Sequence, residues 1–262
     1  MHGWLLDESP GSYRWGEVPT PTPGPGEVRI AVRASALNHN DLWLTRGMPK
    51  PKAFPHVPGS DVAGVIDALG EGVTEWAVGD EVVMEAAVTT QRAILERGSD
   101  NVIVPGMQLL GEHRWGGHAE HVVVPAWHPV RKPPSRSWAE CAAYPVCHVT
   151  AWRMLRKGGV QPGSKVLVLG VGGGVAVAAL LIARYLGAEV FVTSRDPAKR
   201  RRALELGASD AFDSAGPSPL PVAVDNASVG HAKREPAMRQ MGEQRRPERG
   251  APAPAPPPLQ AP

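Results

Sequence analysis

The stretch KVLVLGVGGGVAVAALLIARYLGAEVFVT, Lys165 to Thr193, decides the fold. Lys165 to Leu169 is an apolar run of strand length. The cluster Gly170, Gly172, Gly173, Gly174 breaks it. Val175 to Leu186 is rich in Ala and Leu and ends at Gly187, as a helix does. Glu189 to Thr193 (EVFVT) is a second strand. Strand, glycine turn, helix and strand make a βαβ unit with a right-handed parallel crossover. The 18 uncharged residues from Val166 to Ala183 are at the lower edge of membrane-spanning length, but four glycines inside them favour a turn over a span.

That turn carries chemistry. Backbone N–H groups at a helix start face an anion, and glycines let a pyrophosphate approach without a Cβ in its way. Gly170, Gly172, Gly173, Gly174 and Val175 are therefore the expected dinucleotide cradle. Ala176 stands where a third glycine often packs helix on strand. The end of the second strand, about 20 residues on, chooses the cofactor, because an acid there binds the ribose 2′-OH of NAD. This sequence has Thr193-Ser194-Arg195, with Lys199 a helical turn later and Asp196 already past the strand. A hydroxyl and two cations suit a 2′-phosphate, so the expected cofactor is NADPH (NADP).

Working outward, Pro197 to Leu206 reads as a further helix with Pro at its first position, and Ala211-Phe212 as the start of a third strand. Ser137 with Glu140 is a capping box opening a helix to Ala143, and Val149 to Arg156 is a second helix. Upstream of Pro134 the pattern is short strands between turns: Glu27 to Ala34, Val62 to Ala68, Glu81 to Met84 and Ala119 to Val124, as in a barrel or sandwich. The 262 residues are 42% hydrophobic and 21% charged, with 28 Lys+Arg against 26 Asp+Glu. So balanced a charge argues against a nucleic-acid partner. Two cysteines, Cys141 and Cys147, exclude a disulfide framework and a Cys-rich zinc module. The start lacks a signal-peptide pattern, and the expected location is cytoplasmic, with no membrane partner.

Further motifs carry a resemblance: Ala36-Leu-Asn-His-Asn-Asp-Leu-Trp43, Pro55-His-Val-Pro-Gly-Ser-Asp-Val-Ala-Gly64, Gly70-Glu-Gly-Val73, Val78-Gly-Asp-Glu-Val82, Gly116-Gly-His-Ala-Glu120 and Thr150-Ala-Trp152. With the glycine turn, and in this order, they resemble the medium-chain dehydrogenase/reductase family, close to its zinc-free quinone-oxidoreductase-like branch, over Glu17 to about Gly216. The resemblance implies an α/β chain: a GroES-like, partly open β-barrel (1–135), then an incomplete Rossmann domain, the first half of a doubly wound parallel sheet (136–216). It implies a cofactor in the cleft between them. It places Asn38 near the nicotinamide or substrate carbonyl as a hydrogen-bond donor and Asp41 behind it orienting that loop; His39, adjoining Asn38 in the sequence, is a further candidate for that cleft. Trp43 would line an apolar pocket, and Thr150 would meet the cofactor at the domain junction.

The zinc enzymes of that family carry Cys, His and a later Cys or acid at positions that here hold Asn38, Ser60 and Val146. None of the three is a good zinc ligand. Thr89, Arg92, Leu95 and Ile103 fill the places of the structural-zinc cysteines. His113, His118 and His121 match no zinc spacing. No zinc or other metal is expected. The expected activity is hydride transfer from NADPH to a quinone, enone or other activated carbonyl. A nucleotide-binding remnant without turnover and a zinc-type alcohol dehydrogenase are the alternatives. A homodimer is conceivable for a full-length relative.

From Pro217 to Pro262 the character changes: eleven prolines, no aromatic residue, and the low-complexity run Ala251 to Pro258. The expectation is a disordered tail, out of frame on a truncated chain, with the second half of the Rossmann sheet lacking.

Overall fold

A computed structural model of the chain describes residues 1–84, 86–89 and 107–215. The Pro-rich tail and positions 92, 95 and 103 lie outside the described residues. The elements run β1 (His2–Leu6), β2 (Tyr13–Glu17), β3 (Glu27–Ala36), α1 (His39–Leu44), β4 (Asp61–Leu69), β5 (Glu81–Met84), β6 (Ala87–Val88), β7 (Gln108–Leu109), β8 (His121–Pro125) and β9 (Pro129–Arg131). They continue with α2 (Trp138–Ala143), α3 (Pro145–Lys157), β10 (Lys165–Val168), α4 (Gly174–Tyr185), β11 (Glu189–Thr193), α5 (Pro197–Glu205) and β12 (Asp210–Phe212).

The N-terminal part is built on a five-stranded sheet in the order β8-β3-β4-β5-β9, with every pair antiparallel. Alternation puts Val28 and Ile30 of β3, Val62 and Ile66 of β4, Val82 and Met84 of β5, and Val122 and Val124 of β8 in one buried core. The β1–β2 hairpin and the small β6–β7 pair flank it. The division expected at residue 135 assigns α2 to the nucleotide-binding part. Its buried Cys141 and Ala142 instead pack on Ala63 and Val83 of the barrel strands.

The C-terminal part is the parallel sheet β10-β11-β12. Its core joins Val166, Val168, Val190 and Val192 to Ala178, Ala179, Leu180 and Ala183 of α4 and to Ala151 and Leu155 of α3. The alanines let α4 lie close to both α3 and the sheet. Among the described residues β10 is an edge of this sheet. No described helix is long and apolar enough to cross a membrane.

Boundaries moved where a cap outweighs periodicity. α3 starts at Pro145, four residues before the expected Val149, because proline fits a first helical position where no N–H partner is needed. The strand expected from Ala119 starts at His121, and Ala119 forms only an isolated bridge to Gly3.

Candidate functional site

The glycine turn follows β10 and opens α4, and its glycines have different jobs. Gly170 (φ +72) and Gly172 (φ +130) hold left-handed backbone. A Cβ on Gly172 would meet the Cδ of Lys199 at 2.6 Å, and one on Gly174 would meet the Cys147 sulfur at 2.5 Å. Gly173 differs: its φ is −87 and a Cβ there would meet nothing within 4 Å. So Gly172 and Gly174 make room for the protein itself, whereas Gly173 leaves open space at the helix start. Ala176 packs against the domain core. The Thr193 hydroxyl accepts from the Gly170 N–H at 3.1 Å, and the Thr193 carbonyl accepts from Val171 at 2.8 Å. The end of β11 is thereby tied to the turn.

Beside that turn lies a cavity of about 300 Å³ lined by Gly170, Val171, Ser194, Arg195, Asp196, Lys199 and Ser214. Ser194 is buried, while Arg195 and Lys199 are exposed. Asp196 caps α5, accepting from the N–H groups of Ala198 at 2.8 Å and Lys199 at 3.4 Å. Among the described residues neither Arg195 nor Lys199 pairs with a carboxylate. The stem of Lys199 lies over Gly172. Two cations without carboxylate partners among the described residues, and a hydroxyl, thus lie together beside the glycine turn.

The second cluster sits where β3 runs into α1. Asn38 is the N-cap of α1, and the Asp41 carboxylate reaches back to the Asn38 N–H at 2.7 Å. Asp41 is buried and also accepts from the Gly59 N–H at 3.2 Å and faces His118 Nε2 at 3.4 Å. Asp41 therefore lies behind Asn38 and fixes its loop. His39 is exposed and lies against the half-exposed Trp43 on α1, their ring centroids 6.4 Å apart. Thr150 is exposed on α3, one turn beyond Cys147.

The Asn38 side chain is engaged within the protein. Its Nδ2 already donates to Asp61 Oδ2 at 2.9 Å, with a longer contact to the Ala36 carbonyl at 3.5 Å. Its Oδ1 stands 4.0 Å from the Cys147 sulfur. One of the amide's two donors is thus committed to the Asp61 carboxylate, and the other has only the long contact to the Ala36 carbonyl. Asp61 was not singled out by sequence reasoning. It is buried and accepts a second bond at 2.8 Å from the Val146 N–H, in the first turn of α3. Burial pushes its carboxyl from 3.8 up to about 6, against the lowering influence of the Asn38 and Val146 bonds. Burial and the Asp61 charge likewise raise the Cys147 thiol. Cys147 thus touches both clusters: Asn38 on one side, Gly174 on the other.

The residues present do not fit a zinc ion. The Ser60 hydroxyl accepts from Asn40 Nδ2 at 2.6 Å and donates to the Leu110 carbonyl at 2.8 Å. Asn38 is engaged as above, and Val146 has no donor atom. The three histidines diverge. His118 Nδ1 bonds the Ser35 hydroxyl at 2.8 Å, His121 lies 3.2 Å from Asp67, and His113 Nδ1 accepts from the Leu109 N–H at 3.1 Å. Thr89, at a structural-zinc position, is buried and takes His128 Nε2 on its N–H at 2.9 Å.

An antiparallel sheet domain is followed by a parallel sheet with a glycine turn after its first strand, the layout in which Rossmann-type folds carry their phosphate turn. Residues 24–134 match the family described as alcohol dehydrogenase GroES-like domain. The chain is 39% identical over 187 residues to a zinc-type alcohol dehydrogenase-like protein of Schizosaccharomyces pombe, covering 70% of this chain and 52% of that protein. It is similar to the crystal structure of an NAD-dependent alcohol dehydrogenase (41% identity, TM-score 0.77, 83% of this chain and 64% of that one). It is also similar to crotonyl-CoA carboxylase/reductase AntE in complex with NADP (28% identity, TM-score 0.75, 82% and 58%). The chain thus carries an alcohol dehydrogenase GroES-like domain, and its likeness to alcohol dehydrogenases extends beyond that domain into the parallel sheet. It spans about half the length of the curated relatives it matches.

Proposed function

We propose that this protein is a zinc-independent reductase that uses NADPH to reduce a quinone, enone or similarly activated carbonyl. The observation that carries the cofactor choice is the pair Arg195 and Lys199, free of carboxylates among the described residues, beside an Asp196 already committed to capping α5. NADPH supplies a hydride when bound; what the chain contributes is placement and electrostatics. The N–H groups at the start of α4 hold the pyrophosphate, with Gly173 as the open approach. Arg195, Lys199 and Ser194 hold the 2′-phosphate. Asn38, fixed from behind by Asp41, lines the side facing Cys147 and the turn, and Thr150 borders it on α3. The residues Asn38, Ser60 and Val146, none of them a good zinc ligand, turn the substrate choice toward quinones and enones. Their developing negative charge is delocalised, while a simple aldehyde gains more from a Lewis acid.

A second reading is a nucleotide-binding remnant without turnover. It is motivated by β10 standing at the sheet edge among the described residues, since the half of the sheet beyond that strand shapes the nicotinamide side. Purified protein assayed with NADPH and a simple quinone separates the two. NADPH oxidation supports the reductase, and NADPH binding without oxidation supports the remnant. Stoichiometric zinc by metal analysis would overturn the zinc-independent reading.

A further inference from the structure

Asp61 and Asn38 share a hydrogen bond whose direction is a matter of charge. An ionised carboxylate only accepts, so it draws the Asn38 Nδ2 to itself and leaves Oδ1 pointing at Cys147. A neutral carboxyl still accepts the Val146 N–H on Oδ1, but its other oxygen carries a proton and becomes a donor. The Asn38 amide then satisfies it by turning over: Oδ1 accepts from Asp61, and Nδ2 faces Cys147 and the glycine turn beyond. The amide and the carboxyl thus exchange donor and acceptor roles with a single proton and without moving the backbone.

We propose that Asp61 is a positioning residue that sets which end of the Asn38 amide faces the cleft. With Asp61 ionised the cleft is offered an acceptor, suited to the hydroxyl of an alcohol or hydroquinone. With Asp61 neutral it is offered a donor, suited to the carbonyl of a quinone or enone. The choice of ligand end rests on the reductase reading; the amide reversal does not. The groups facing Asp61 are Asp41 on α1, His118 before β8, and Cys147 on α3. Burial makes the neutral form accessible near neutrality, its carboxyl standing at about 6.

The test needs no cofactor. In ¹⁵N-labelled protein the Asn38 side-chain amide signals are assigned by their loss in Asn38→Ser. The pH is then varied across the range around 6 where Asp61 titrates. The signals are expected to titrate through that range in the unmodified protein. In Asp61→Asn the new amide accepts from Val146 and donates to Asn38, so the signals should hold the low-pH position throughout. Asp61→Glu, which keeps the charge, should restore a titration and covers the case in which Asp61→Asn does not fold. Signals that stay fixed in the unmodified protein would overturn the proposal. So would an Asp61→Asn spectrum at the high-pH position. In the assay, quinone reduction should fall as pH rises through about 6 in the unmodified protein and stay flat in Asp61→Asn. Absence of NADPH binding would sink the reductase reading while the spectra still decide on Asp61.

Discussion

Gly173→Ala separates fold from function at one atom. The N-cap backbone there (φ −87, ψ 158) is ordinary for an L-residue, and the added methyl meets nothing within 4 Å. Alanine is a poorer N-cap than glycine, but it also lowers the entropy of the unfolded chain. The two effects oppose each other, and the expected change in stability is within about 1 kcal/mol. For a pyrophosphate the same methyl stands in the approach to the α4 N–H groups. Losing one charge-assisted hydrogen bond costs roughly 1.5–3 kcal/mol, a weakening of about tenfold to a hundredfold in NADPH affinity. Fluorescence titration with NADPH, alongside urea unfolding of the same preparation, reads both quantities. A stable variant with unchanged NADPH affinity would refute the cradle. A variant that unfolds would refute the reading of Gly173 as open space.

Gly174→Ala should behave in the opposite way: its methyl lands 2.5 Å from the Cys147 sulfur, so it should lower stability, and Cys147→Ala in the same chain should restore much of the loss in a double-mutant cycle of urea midpoints. Arg195→Ala and Lys199→Ala should each narrow the preference for NADPH over NADH, by up to about a hundredfold, measured as the ratio of dissociation constants; equal affinities in the unmodified protein would refute the 2′-phosphate site. Asp61 should make stability pH-dependent. Its folded pKa is raised from 3.8 to about 6, so its contribution is complete below the unfolded pKa and is lost as pH rises through the folded one. The stability of Asp61→Asn relative to the unmodified protein should therefore improve by up to about 3 kcal/mol between acidic and neutral pH, read by urea unfolding at both. A pH-independent gap would show that Asp61 is not shifted.

The parts of the fold legible in the sequence were those with a local rule. β10, the glycine turn, α4 and β11 announce themselves by apolar runs and glycines, and α5 by Pro197 and Gly207. The Ser137–Glu140 capping box placed α2 correctly, yet nothing local says that Cys141 and Ala142 pack on the barrel. The β1–β2 hairpin and α1 escaped notice. Both are short, and α1 is held by Asp41, which reaches the Asn38 N–H three residues back and also Gly59 and His118, two partners distant in sequence. Asp61 escaped for the same reason. On β4 it looks like a strand-end carboxylate, and only the fold brings Asn38 and the Val146 N–H to its two oxygens. The Asn38 reading left Asp61 out of account, and one of the two amide donors is committed to that carboxylate.

The helix cap at Asp196 separates two properties that adjacent residues often entangle. Its carboxylate serves the N–H groups of α5, while the neighbouring Arg195 is exposed and, among the described residues, makes no hydrogen bond to that helix. On the NADPH reading proposed above, cofactor selectivity rests on a side chain that the architecture does not need. A redesign toward NADH can begin at position 195 alone, with the start of α5 left intact, and whatever it changes in binding will not be confounded by a weakened helix.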